Sequence, residues 1–268
     1  MLLLERALED SSSFWAIEYA IGKKYFEVCS NQRSSSTEQQ WLRLQIWKEW
    51  YGSGVYGGPG TTVTGMIGEA ASQLVPLNPL HDYELLRENF SYLTFAQEEL
   101  SHYMGLLDIY ISKFGSGFRD KLEDWGEVPA GRNLTKRREA LRHQELGEVV
   151  IRLSEGGGLG LFYGMKRALT GRTLSAFDSK LLKIVQRILN DEEVHLSDNI
   201  KFAKYNLTTE EEYNYVSETL AEISSQKLKE REEQFNISRD SIAKGYLATA
   251  TQEYLADYYF PLINIAKG

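Results

Sequence analysis

Residues 185–202, VQRILNDEEVHLSDNIKF, place ligand-type side chains among apolar ones with the period of an α-helix. At steps of three, four or seven residues, one helix face then carries Val185, Ile188, Glu192, His195 and Phe202. An ionised Glu in such an apolar stripe is unfavourable unless it is paired or bound to a metal ion. The stretch therefore predicts a helix that carries metal-ligating side chains into a helical core.

A second Glu-x-x-His motif, Glu99 to His102, lies in a similar stripe, which also contains Phe95, Leu106 and Ile109. A carboxylate and an imidazole at positions i and i+3 can hold one metal ion between them. Two such motifs, plus one Glu from each of two other helices, are the ligand set of a di-iron site in a helical bundle. The competing interpretation is a surface face with helix-stabilising Glu/His pairs.

Glu155 and Glu69 are the predicted lone carboxylates, because small residues surround both. Glu155 precedes four glycines within residues 156–160, and each glycine inside a helix costs about 1 kcal/mol relative to alanine. This glycine run indicates either open volume for metal, oxygen and substrate, or close contact with another helix. Glu18 is the alternative to Glu69, and Glu148 is the alternative to Glu155.

The chain is predicted to be all-α, because no period-2 strand pattern persists. Turn-type stretches at 52–60, 76–79 and 115–117 separate helical segments. The Trp-rich segment 38–50 is interpreted as a helix that packs its aromatic side chains into the core. Helices are predicted at about 12–30, 38–50, 61–75, 82–114, 135–169 and 173–205, with two more within 209–265.

Charge and composition limit the classes of partner. A net charge of −8 and a pI of about 5.2 argue against nonspecific binding to a nucleic-acid backbone. No apolar run approaches the roughly 20 residues of a membrane helix. The single cysteine, Cys29, excludes a disulfide framework and fits a reducing compartment. We therefore expect a cytoplasmic protein that binds neither membranes nor nucleic acid.

Short motifs carry a resemblance to the ferritin-like di-iron carboxylate superfamily, over about residues 61–205. Residues 191–196 (DEEVHL) resemble the corresponding motif of the ribonucleotide reductase small subunit, and Glu155-Gly156 followed by Phe162-Tyr163 loosely resembles another helix of that subunit. Residues 98–102 (EELSH) are similar to a motif of the di-iron tRNA hydroxylases.

The resemblance implies a single domain, 1–268, built as a four-helix bundle with additional N- and C-terminal helices. It implies one metal ion held by Glu69, Glu99 and His102, and another held by Glu155, Glu192 and His195. Asp191 would orient a ligand histidine. Leu106 stands where the radical-forming reductase subunit has a tyrosine, which disfavours a stable tyrosyl radical.

These expectations favour an oxidoreductase of the monooxygenase type. Two iron ions, or a Mn/Fe pair, would activate O₂ to hydroxylate, N-oxygenate or desaturate a small organic substrate. An electron donor such as a reductase or ferredoxin is implied, and a homodimer is considered. The expected pocket is lined by Phe95, Gly157, Gly158, Leu159 and Phe162. The alternatives are a ferroxidase or peroxide-scavenging protein, and a metal-free helical interaction protein.

Overall fold

The computed structural model describes residues 3–51, 62–74, 81–119, 121–125 and 129–267, and all regular structure within these ranges is helical. The predicted all-α class is therefore confirmed for the described residues. The predicted turns at 52–60 and 76–79 lie outside them. The helices are α1 (Leu3–Glu27), α2 (Ser35–Trp50), α3 (Val63–Leu74), α4 (Tyr83–Phe114), α5 (Pro129–Leu141), α6 (Gly147–Leu153), α7 (Gly156–Leu169), α8 (Ala176–Asn206), α9 (Glu210–Phe235), α10 (Lys244–Tyr254) and α11 (Phe260–Lys267).

Short helical turns complete the described structure. Two 3₁₀ turns span Leu122–Trp125 and Arg239–Ser241, and a π-helical turn, Leu255–Tyr259, joins α10 to α11. No helix among the described residues combines the length and the apolar composition that crossing a bilayer requires.

The chain divides into two compact units. The larger unit comprises Met1–Trp41 and Glu127–Gly268, and the smaller unit comprises Leu42–Gly126. The motif from Glu99 to His102 belongs to the smaller unit, and the motif from Glu192 to His195 belongs to the larger one.

In the larger unit, α1 packs along α7 and α9, and α8 packs against α7. The first helix begins at Leu3 and not near residue 12, because Leu4, Ala7 and Leu8 are buried and extend its apolar face toward the N-terminus. Two predicted helix starts are marked by side-chain caps. Ser175 accepts a hydrogen bond from the backbone N–H of Asp178 at the start of α8, and Thr209 forms a capping box at the start of α9.

The segment predicted as one helix, 135–169, is three helices, α5, α6 and α7. The chain turns sharply between α5 and α6, where a Cβ on Gly147 would lie only 1.7 Å from the Leu141 carbonyl oxygen. Glycine is required at that close approach. A two-residue turn, Ser154 and Glu155, separates α6 from α7, so Glu155 lies at a helix junction and not within a helix.

In the smaller unit, α3 packs against α4 through Val63 and Met66, which contact Phe95 and Ala96. The C-terminal part of α2 lies antiparallel to α4. Arg43 near the start of this part donates to the Tyr110 hydroxyl at 2.9 Å, whereas Trp50 at its end packs on Tyr103 with ring centroids 4.8 Å apart. The fourth helix ends at Gly115, whose φ of 84° ends the helix where the sequence predicts.

Candidate metal-binding groups

Two carboxylates and an imidazole of the smaller unit meet at buried positions. One ligand atom from each of Glu49, Glu99 and His102 lies within 4.8 Å of the others, and all three side chains are buried. His102 Nδ1 is 3.4 Å from Glu49 Oε2. This Glu49–Glu99–His102 group has the donor atoms and the separation that one divalent ion would need.

The polar neighbours of Glu49 favour its ionised form. Burial alone would raise the pKa of this carboxyl, but hydrogen bonding to His102 and the charge of His102 outweigh burial, with further help from Gln45 and Glu99. The pKa of Glu49 is therefore held below its usual value. Gln45 Nε2 donates to Glu49 Oε1 at 2.6 Å, which orients the carboxylate. Glu49 is thus an oriented carboxylate whose ionised form is favoured.

Glu99 and His102, the two members of this group on α4, lie on the helix face that the sequence predicts to be buried. The five residues of the predicted stripe are all buried: Phe95, Glu99, His102, Leu106 and Ile109. Glu99 and His102 are one turn apart, so their side chains extend from the same face of α4.

Glu49, and not Glu69, lies beside Glu99 and His102. Glu69 on α3 is exposed. Partial burial of the Tyr92 phenol, helped by the charge of Glu69, raises the pKa of Tyr92. The helical pattern does not predict the burial of Glu49. Within residues 42–50 (LRLQIWKEW), Gln45, Lys48 and Glu49 are spaced at i, i+3 and i+4 and share one polar face of the helix.

The larger unit holds the second predicted motif. His195 Nδ1 lies 3.6 Å from Glu192 Oε2, one helical turn away on α8, and both side chains are partly buried. Glu155 Oε2 accepts a hydrogen bond of 2.8 Å from Asn199 Nδ2, one further turn along α8. Glu155 therefore lies near Glu192 and His195, whose charges both affect its pKa. We call these three residues the Glu155–Glu192–His195 group, and their joint binding of a metal ion stays a prediction.

Electrostatics within this group couple Glu155 to its neighbours. Burial and the charge of Glu192 raise the pKa of Glu155 to about 7, although Arg138, Lys227 and His195 oppose the shift. The protonated form of this carboxyl is therefore more favoured than in a solvent-exposed glutamate.

The glycines beside Glu155 do not open the predicted cavity, because α1 fills the space next to them. A Cβ on Gly157 would lie 2.3 Å from Glu18 Oε1, and a Cβ on Gly160 would lie 2.9 Å from the Trp15 carbonyl oxygen. Gly158 has more room, since its nearest neighbour, Lys227 Nζ, would be 3.8 Å away. Close helix packing, the second interpretation of the glycine run, is the one that the structure supports.

The other residues of the expected pocket lie in different surroundings. Phe95 packs against the Val63 and Met66 side chains of the smaller unit, whereas Leu159 and Phe162 are buried in the larger unit. Because these three side chains are buried in separate surroundings, they do not support the expected pocket.

The alternative carboxylates form ion pairs. Glu18 is buried, and its Oε2 accepts a hydrogen bond of 3.2 Å from Arg231 Nε. Glu148 pairs with Arg152 at 2.6 Å on the surface. Asp191 is partly buried one turn before His195, and its role in orienting a ligand stays a prediction.

Comparisons of this chain with protein-family models, with curated proteins and with solved structures find no match. The chemistry of the two carboxylate–histidine groups is therefore the basis on which a function can be assigned.

Proposed function

We propose that this protein is a non-haem di-iron oxidoreductase that binds one iron ion at each carboxylate–histidine group and uses O₂ as its oxidant. The observation that supports it most is the burial of Glu49, Glu99 and His102 with ligand atoms within 4.8 Å of one another. The ferritin-like four-helix bundle and the cytoplasmic location implied by the sequence are parts of the same proposal.

The donor atoms of the smaller unit fit a divalent transition metal. Carboxylate and imidazole ligands suit iron or manganese. Two buried carboxylates that share one imidazole are electrostatically unfavourable, and a divalent cation would compensate both negative charges. Gln45 would keep the Glu49 carboxylate in its orientation when the ion binds.

The larger unit would supply the second set of ligands. Glu155, Glu192 and His195 would hold the second ion, and Asn199 would fix the Glu155 carboxylate through its amide N–H. Glu193, next to Glu192, accepts a hydrogen bond from the Tyr163 hydroxyl on α7, so its carboxylate has a structural partner of its own.

Bound iron would supply the electrons that reduce O₂, and the surrounding protein would bind the ions and limit their access to solvent. In the form that we favour, the oxidised product is a small organic molecule and the electrons come from a reductase or ferredoxin. A second candidate is oxidation of iron itself. It is favoured by the packing of α1 against Gly157 and Gly160, which removes the argument for a substrate cavity at the glycines.

Oxygen consumption by iron-loaded protein separates these functions. Protein loaded anaerobically with Fe²⁺ is mixed with O₂, with and without excess Fe²⁺ and with and without a chemical reductant. An oxygenase consumes only the O₂ that its bound iron can reduce until reductant is added. A ferroxidase consumes O₂ in proportion to the excess Fe²⁺ and needs no reductant. Protein that consumes no more O₂ than Glu49→Ala/His195→Ala protein in every mixture would refute both.

A further inference from the structure

The fourth helix carries a second apolar stripe besides the one that holds Glu99 and His102. Its eight positions, from residue 86 to residue 111, are spaced alternately by four and three residues, which is the heptad spacing of the contact line, or seam, of a coiled coil. Seven of these eight positions are apolar: Leu86, Phe90, Leu93, Gln97, Leu100, Met104, Leu107 and Ile111.

None of these eight seam residues is buried. Phe90 is 69% exposed and Met104 is 54% exposed, and Leu100 is the one seam residue that also packs against the α3–α4 cluster. Soluble proteins seldom expose long apolar stripes unless a partner covers them. The stripe of α4 that holds Glu99 and His102 is already buried when the chain folds. Folding of the chain does not bury the apolar side chains of the seam in the same way.

We propose that the seam of α4 pairs with the seam of α4 in a second copy of this chain, as an antiparallel coiled coil. In a register centred between residues 98 and 99, Phe90 packs against Leu107 of the partner subunit and Leu93 packs against Met104 of the partner subunit. Gln97, the single polar seam residue, lies near the two-fold axis. A polar residue at one such position commonly fixes register at some cost in stability.

Charge complementarity selects a second copy as the occupant. Arg87 and Asp108 are exposed and flank the two ends of the seam. The same register brings Arg87 opposite Asp108 of the partner subunit, and the two-fold axis repeats the pair. In a parallel, in-register pair, both Arg87 side chains would lie at one end and both Asp108 side chains at the other. Only the antiparallel arrangement brings the opposite charges of Arg87 and Asp108 together.

Charge reversal tests this pairing, because Arg87 and Asp108 are about 32 Å apart along one helix and cannot compensate each other within a chain. Light scattering and analytical ultracentrifugation of the full chain should give a dimer of the 30.7 kDa chain. Arg87→Glu alone and Asp108→Arg alone should each raise the dimer Kd about tenfold or more. The double variant Arg87→Glu/Asp108→Arg should recover to within about threefold of the natural Kd.

Seam variants test the apolar contacts independently. Phe90→Asp and Met104→Asp should each give monomers whose circular dichroism equals that of the natural protein. The matched control is Tyr205→Asp on α8, because Tyr205 is 85% exposed and lies outside the seam; this variant should stay dimeric. A chain that is monomeric at about 100 μM would leave the seam to another partner and overturn the proposal. Dimers that survive both seam variants, or a double charge variant weaker than either single one, would also overturn it.

Discussion

The Glu49 carboxylate is held inside the smaller unit by polar neighbours on its own helix and on α4. Gln45 donates to one oxygen, and His102 lies beside the other. Removing one partner from such a buried group leaves the others unpaired, which costs about 1–3 kcal/mol or more. The group is therefore sensitive to substitution with or without a metal ion.

Replacing Glu49 with alanine should abolish one of the two proposed metal positions, because the variant loses a carboxylate ligand beside His102 and Glu99. The matched control is Glu69→Ala, since Glu69 is the exposed carboxylate of α3. Iron bound per chain, measured after anaerobic loading and removal of free metal, should fall by about one ion in Glu49→Ala only. Equal losses in the two variants would contradict the assignment of Glu49 as a ligand.

The metal-free protein should lose stability as pH rises from about 5 to 8, in part through Glu155. The folded pKa of about 7 lies above the usual glutamate pKa of 4.5, so the folded chain retains a proton that the unfolded chain releases in this window. The shift corresponds to a loss on the order of 3 kcal/mol across the window. Urea unfolding at both pH values should show a smaller pH dependence for Glu155→Gln. An unchanged dependence would mean that Glu155 titrates normally.

At the scale of helices, α1 and α7 approach so closely that glycine positions on α7 meet the backbone of α1. A Cβ on Gly164 would lie 2.1 Å from the Tyr19 carbonyl oxygen. A backbone atom cannot move aside as the end of a flexible side chain can. Gly160 and Gly164, which both meet backbone carbonyl oxygens of α1, therefore set the distance between the two helices.

Gly164→Ala should destabilise the protein by about 3 kcal/mol, because the new methyl group forces α1 and α7 apart. Gly158→Ala on the same helix should be neutral or stabilising by about 0.5 kcal/mol, since its Cβ has room and alanine favours helix. Urea denaturation of both variants measures the difference. Equal stability of the two would show that the close approach of α1 and α7 does not limit the fold.

The sequence predicts long helices well and short breaks poorly. The ends of α4 agree with the prediction to within one residue, because Gly115 ends a continuous periodic pattern. The break between α6 and α7 escapes prediction, because apolar residues keep their helical spacing on both sides of Ser154 and Glu155. Periodicity reports which face is apolar and does not detect a turn of two residues.

At the scale of the whole molecule, each of the two units contains one carboxylate–histidine group. The Glu-x-x-His motifs that the sequence identifies supply two side chains of each group, because i and i+3 spacing depends only on local helix geometry. The partner carboxylate comes from another helix and depends on tertiary packing. The sequence identifies Glu155 correctly as a neighbour of Glu192, and it misses Glu49, because the choice between α2 and α3 is made by packing against α4.

Iron content per chain is the most direct test of the proposed di-iron function. Protein purified without metal, loaded anaerobically with Fe²⁺ and freed of excess ion should contain close to two iron ions by elemental analysis. Glu49→Ala and His195→Ala should each contain close to one, because each variant retains the group in the other unit. Protein that binds no transition metal after anaerobic loading, with either iron or manganese, would contradict the account.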